Sequence, residues 1–221
     1  MIVAVDGPSG AGKSTVCREV ARRLGFNLLD TGAIYRCVAL VALRSGDPID
    51  EAHCSAIAQN LDMHFEASSE GQRVFIGNED VTTAIRTYET TQCVNSVSPM
   101  GAVRSQLLAI QRRLGALGNT IVEGRDIGSV VFPHAELKIF YTATAEARAK
   151  RRQAEFERNG TPFDFAQVVA QIRLRDETEF HREHSPLIQC DDAIVLDTSD
   201  LDFEGSCNAL IQLIRNKSTA A

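Results

Sequence analysis

Residues 7–14 read Gly-Pro-Ser-Gly-Ala-Gly-Lys-Ser, which places glycines, a lysine and a hydroxyl at the spacing G-x-x-x-x-G-K-[ST]. That spacing suits a chain of phosphates. Glycines let successive backbone N–H groups turn inward with no Cβ in the way. A helix starting at Lys13 would add its unpaired N–H groups and the positive end of its dipole at the same spot. Lys13 would reach the outer phosphates. The Ser14 hydroxyl would ligate Mg2+, partly through water.

The loop alone leaves the fate of the phosphate open between hydrolysis and transfer. Guanine recognition would need Asn-Lys-x-Asp after a strand, and the only Asn-Lys is Asn216-Lys217, in the tail with no Asp after it. Two further stretches stand where an α/β protein places a second ligand, beyond the carboxyl ends of strands. The first is Asp30-Thr31-Gly32-Ala33-Ile34-Tyr35-Arg36, in which Thr31 is expected to cap a helix and Arg36 lies about a turn and a half into it. The second is Glu123-Gly124-Arg125-Asp126-Ile127-Gly128, where two glycines bracket an adjacent Arg-Asp pair. The alternatives are a solvated helix arginine at 36 and a turn-stabilising pair at 125 and 126.

More arginines follow. Arg148, Arg151 and Arg152 fall on one helix face by their i+3 and i+4 spacing, and Arg175 and Arg182 stand two turns apart with Glu179 between them. Such a set fits a cover over transferring phosphates, because the guanidinium fork binds phosphate oxygens in pairs. The alternative is a solvated face of weak ion pairs, Arg173 with Glu177 and Arg175 with Glu179. His181 and His184 have a spacing open to a metal, but no third ligand stands out.

The elements that must hold these groups are legible in the hydrophobic pattern. Short apolar runs at Ile2–Val5, Asn27–Leu29, Thr120–Val122, Leu137–Tyr141 and Ala193–Leu196 read as buried strands. Segments of helical character lie between and after them: Lys13–Leu24, Ala33–Leu43, Val103–Leu114, Ala145–Arg158, Phe165–His184 and Phe203–Arg215. This order predicts an α/β fold, a five-stranded parallel sheet with helices on both faces. Met63–Thr83 breaks the rhythm by alternating, with turns at Ser68–Gly71 and Gly77-Asn78. It reads as a small antiparallel β meander inserted into the core. Residues 216–221 are expected to fray.

At 221 residues the chain suffices for one large α/β domain. It has no Trp, 6% aromatic residues and a net charge of −6, all of which argue against a nucleic-acid binder. The six cysteines are scattered without a C-x-x-C pair, which suggests reduced thiols in a cytoplasmic protein. No apolar run approaches the ~20 residues of a membrane helix, and with a strand expected from Ile2 no leader segment is expected.

The residues quoted above resemble the bacterial cytidylate kinases of the nucleoside monophosphate kinase family over nearly the whole chain. The likeness rests on Asp6–Lys13, Leu29–Arg36, Glu123–Gly128 with Val131-Phe132-Pro133, and Arg175-Asp176 through Arg182 to Ser185-Pro186-Leu187. It implies a single P-loop kinase domain over 1–221. The core would be about 1–30, 98–142 and 186–216, with an acceptor-binding insert at about 31–97 and a lid at about 145–185. It implies transfer of the ATP γ-phosphoryl group to CMP or dCMP, with Mg2+. The chain is expected to act as a monomer that engages neither nucleic acid nor membrane. Gly7, Pro8, Ser9, Gly10, Ala11, Gly12, Lys13, Ser14 and Thr15 would hold ATP. Arg36, Arg125, Arg175 and Arg182 would hold the acceptor phosphate, the last three acting with Lys13 in catalysis. Arg104 and Asp126 would read cytosine, Thr31 would lie beside the nucleotide, and Arg148, Arg151, Arg152 and Arg158 would belong to the lid. Asn95 stands where the family usually has a base-contacting Ser, with Ser96 next to it, and Gly101 replaces a Pro near Arg104. Glu179, at a position usually Asp, would contact the ribose hydroxyls.

Overall fold

The computed structural model describes residues 1–68, 71–158 and 163–219. Its strands are β1 (Ile2–Asp6), β2 (Asn27–Asp30), β3 (Met63–Ser68), β4 (Gly71–Ile76), β5 (Glu79–Asp80), β6 (Thr120–Gly124), β7 (Leu137–Thr142) and β8 (Ile194–Asp197). Its α-helices are α1 (Lys13–Leu24), α2 (Thr31–Ser45), α3 (Glu51–Gln59), α4 (Tyr88–Val97), α5 (Gly101–Gly115), α6 (Ala145–Arg158), α7 (Phe165–His181) and α8 (Phe203–Thr219). The chain divides into two compact units, residues 1–27 with 118–221 and residues 28–117.

The expected five strands form one parallel sheet in the order β2-β6-β1-β7-β8. In the first unit β1 runs between β6 and β7. Ile2 pairs with Thr120 and Asp6 with Gly124 on one side, and Val3 pairs with Leu137 on the other. Strands paired on both edges and covered on both faces are apolar throughout rather than alternating. Val3, Ala4, Val5, Ile121 and Val122 are accordingly fully buried. Because β1 and β6 end level, the segments starting at Gly7 and Arg125 leave the sheet side by side.

Helix α1 starts after Gly12 and stops at Gly25, both in the left-handed conformation that glycine tolerates. Its buried stripe is Val16, Cys17, Val20 and Ala21, while Cys207, Leu210 and Ile214 form the inner face of α8. Each fully buried aliphatic side chain of this set is worth about 1.5–3 kcal/mol. Gly7 passes so close to β7 that a Cβ there would lie 1.9 Å from the Tyr141 carbonyl oxygen. Asn216–Thr219 extend α8 instead of fraying, and residues 220 and 221 lie outside the described residues. Helix α7 ends at His181 rather than His184, since Arg182 turns extended.

In the second unit α2 is capped by Asp30, whose side chain accepts from Ala33 N at 3.1 Å. The cap therefore falls one residue before the one expected at Thr31. Thr31 is the first helical residue and is buried. The meander is present as an antiparallel sheet in the order β3-β4-β5, with Phe65 opposite Val74 and Phe75 opposite Asp80. The turn expected at Ser68–Gly71 includes residues 69 and 70, which lie outside the described residues. Helices α3 and α4 were not foreseen. Each is short and opens on a side-chain cap, Asp50 accepting from His53 N and Thr87 from Thr90 N.

Candidate active site

The first unit carries the phosphate loop between β1 and α1. Lys13 is 5% exposed, and its Nζ donates to the carbonyls of Gly7 (2.6 Å) and Pro8 (2.9 Å). Burial, reinforced by the nearby Arg125, pulls its pKa down to about 7, against the opposing pull of Glu123 and Glu179. The Ser14 hydroxyl donates to Glu123 Oε2 at 2.9 Å. Glu123 is buried at the carboxyl end of β6. It received no role from its motif. A carboxylate ending a strand next to the phosphate-loop strand was the available signal.

Arg125 follows immediately. Its Nε donates to Glu179 Oε2 at 2.8 Å, and its Nη1 to the Gly124 carbonyl at 3.1 Å. The other Glu179 oxygen takes Arg175 Nε at 3.3 Å, while Oε2 also accepts from Ser9 N at 3.3 Å. One carboxylate on α7 thus gathers two guanidinium groups and a phosphate-loop amide. Burial works to raise the pKa of Glu179, but Arg125, Arg175 and Lys13 together bring it below the ordinary value. The Arg175–Glu179 pair noted in the sequence is real, yet it belongs to this cluster rather than to a purely solvated face. Arg182, just past the end of α7, donates through Nε to the Ser185 carbonyl at 2.6 Å. Asp126 is buried and precedes a π-helical turn, Ile127–Val131, whose Val130 and Val131 amides return to its carbonyl.

The arginines of α6 do not present one common face to solvent. Arg148 is buried, forms an ion pair with Asp176, and donates through Nη1 to the Ser9 carbonyl at 3.0 Å. Arg151 donates to the Ala11 carbonyl at 2.7 Å and to the Thr198 carbonyl. Arg152 is exposed, and the side chain of Arg158 lies outside the described residues. Arg173 pairs with Glu146 at 2.5 Å and not with Glu177, because α6 and α7 pack together and bring that carboxylate within reach. His181 Nδ1 lies 2.9 Å from the Glu177 carbonyl, one turn back on its own helix.

The second unit holds the remaining candidates. Arg36 is half-buried, and its Nη1 donates to the Ile85 carbonyl (3.0 Å) and Thr91 Oγ1 (2.8 Å). Arg104 is 9% exposed, donates to the Ser98 carbonyl at 2.9 Å, and lies over the Tyr35 ring at 5.1 Å. Asn95 lies on the exposed side of α4. Thr31 is buried at the start of α2.

A profile of the family described as cytidylate kinase matches residues 3–216. The chain belongs to the cytidylate kinase family. It is 44% identical over 223 residues to the curated cytidylate kinase of Mycobacterium avium, covering 100% of this chain and 98% of that one. It is 43% identical over 213 residues to the cytidylate kinase of an Exiguobacterium species, covering 96% and 95%. An uncharacterized protein from Eubacterium ventriosum has the same fold at a TM-score of 0.52, with 12% identity and coverage of 97% and 98%. This cytidylate kinase family member is thus a kinase. In this kinase the loop's outward carbonyls at Ser9 and Ala11 are taken by arginines of α6, and its Ser9 amide by the carboxylate of α7.

Proposed function

We propose that the chain transfers the γ-phosphoryl group of ATP to CMP or dCMP, giving CDP or dCDP and ADP. The observation that carries this reading is the Arg125–Glu179–Arg175 cluster on the Ser9 amide. A phosphate loop flanked by two further guanidinium groups suits two anionic substrates rather than one. Family membership supplies the identity of the acceptor.

In this mechanism residues 7–15 hold ATP, and Lys13 neutralises charge that develops on the bridging and γ-phosphate oxygens. Arg125, Arg175, Arg182 and Arg36 hold the acceptor phosphate and screen its repulsion from ATP. That phosphate is already ionised near neutral pH, so no general base is required. Arg104, Asp126 and Asn95 recognise the base, Thr31 lies beside the nucleotide, and Glu179 contacts the sugar once the arginines have turned to phosphate. Arg148, Arg151, Arg152 and Arg158 belong to the lid at about 145–185, and residues 31–97 form the acceptor-binding insert.

The Ser14 hydroxyl and the Glu123 carboxylate, 2.9 Å apart, are hard oxygen donors of the kind Mg2+ prefers. Ser14 would hold the ion directly or through water, with Glu123 orienting that water. When bound, Mg2+ would supply positive charge that stabilises the phosphates. We take the protein to act as a cytoplasmic monomer.

The test is a steady-state acceptor screen with CMP, dCMP, UMP and AMP. CMP or dCMP should give the highest kcat/KM. A preference of more than about tenfold for UMP or AMP would overturn the reading.

A further inference from the structure

Asp6 ends β1 immediately before the phosphate loop, and none of the roles above uses it. It is 5% exposed. Its Oδ1 accepts from Ile127 N at 2.8 Å and its Oδ2 from Gly128 N at 2.7 Å. Both oxygens are thus committed to two consecutive amides in a segment more than a hundred residues away. Those amides open the π-helical turn that directly follows Arg125 and Asp126. The first N–H groups of a helical turn have no acceptor within it, so this carboxylate supplies what the turn cannot. Bonds from N–H to an ionised acceptor are about twice as strong as neutral ones.

Gly128 has room on the Asp6 side. A Cβ there would lie 3.4 Å from Asp6 Oδ2, and 3.1 Å from the Lys138 Cδ packed beside it. The environment does not otherwise favour a charge. Burial lifts the Asp6 pKa to about 6 and Asp126 adds to the rise, while the two amide bonds and Lys13 work the other way. A buried carboxylate retained against that cost is better explained by what it holds in place than by stability.

We propose that Asp6 is a positioning residue for the acceptor side of the reaction, holding the Ile127 and Gly128 amides so that the turn presents Arg125 and Asp126 next to the phosphate loop. This rests on reading Arg125 and Asp126 as acceptor ligands. Asp6 touches neither substrate in this scheme. It acts only through the turn.

The test compares Asp6→Asn with the unaltered enzyme. The amide keeps the shape but sets its NH2 against one of the two backbone N–H groups. The KM for CMP should rise by about tenfold or more, the scale of an outer-shell support, with the KM for ATP within about twofold. The melting temperature should stay within about 5 °C. If the two KM values rise together, if neither moves, or if only the melting temperature falls, the proposal is overturned.

Amide exchange in the unaltered, substrate-free enzyme gives an independent arm should a variant fail to fold. Ile127 and Gly128 should be strongly protected, and rapid exchange at both would overturn the proposal. An enzyme that does not turn over CMP refutes the proposed function instead, and the exchange measurement still decides the role of Asp6.

Discussion

Glu179 and Arg125 form an ion pair of 2.8 Å, and the carboxylate oxygen that makes it also takes the Ser9 amide of the phosphate loop. A carboxylate therefore sits among donors suited to a phosphoryl group. In Glu179→Gln the shape is kept and the negative charge removed from Arg125 and Arg175. Inorganic phosphate should then compete with CMP more strongly, its inhibition constant falling by about tenfold, the scale of one lost charge interaction. An unchanged or higher constant would show that the carboxylate does not oppose anion entry.

Lys13→Ala should lower kcat by about a hundredfold or more and leave the fold intact. The ammonium group is buried against a desolvation cost that shows in its lowered pKa, so its removal relieves the fold at neutral pH. Thermal melting alongside kcat checks this. A collapse of the melting temperature would make Lys13 a structural residue.

The same pKa has a sign that can be measured. Lys13 titrates near 7 in the folded chain and near 10.5 when unfolded, so between those values the unfolded chain holds the extra proton. This group therefore adds stability as pH rises through that window. Nucleotide phosphates favour its charged form. Binding of ADP at pH 8 should take up as much as about one proton, and far less at pH 6, where Lys13 is already charged. Calorimetry in buffers of different ionisation enthalpy reads this number. No uptake at pH 8, or uptake that persists in Lys13→Ala, would contradict it.

Arg148→Ala should cost about 3 kcal/mol in urea unfolding, the low end for breaking a buried pair, because the Asp176 side chain keeps 18% exposure. It should also free the Ser9 carbonyl. A loss under about 1 kcal/mol would mean that water replaces the guanidinium.

Two glycine substitutions in one loop should differ sharply. In Gly7→Ala the new Cβ would overlap the Tyr141 carbonyl oxygen, a backbone atom of a central strand that cannot withdraw. Gly10 has nothing within 4 Å and only its positive φ of 75° to strain. Gly10→Ala should cost about 1–2 kcal/mol, whereas Gly7→Ala should prevent folding or lower the melting temperature by more than about 10 °C. Equal effects would argue against the close passage at β7.

The sheet was legible in the chain because its strands are short, largely apolar runs bounded by turn residues, and each lies within two residues of its expected bounds. Helices α3 and α4 were not, because each is only nine or ten residues long, too short for a sustained helical period, and α3 buries only Cys54 and Ala58. Their caps, Asp50 and Thr87, were the readable sign. At Asp30-Thr31 two capping residues stand together, and residue type alone does not choose between them. The phosphate loop was legible as a local motif. Its supports were not, because Arg148, Arg151 and Glu179 reach it from about 140 to 170 residues away. Arg173 illustrates the same limit, since i+4 spacing favoured Glu177 while helix packing brought Glu146 closer.

The hold that Arg148 and Arg151 keep on the carbonyls of Ser9 and Ala11 bears on the speed of nucleotide capture. With its oxygens tied outward, the loop loses its conformational freedom when the chain folds, not when ATP arrives. Encounter should then be governed by diffusion and orientation, and tightness by how slowly the nucleotide leaves.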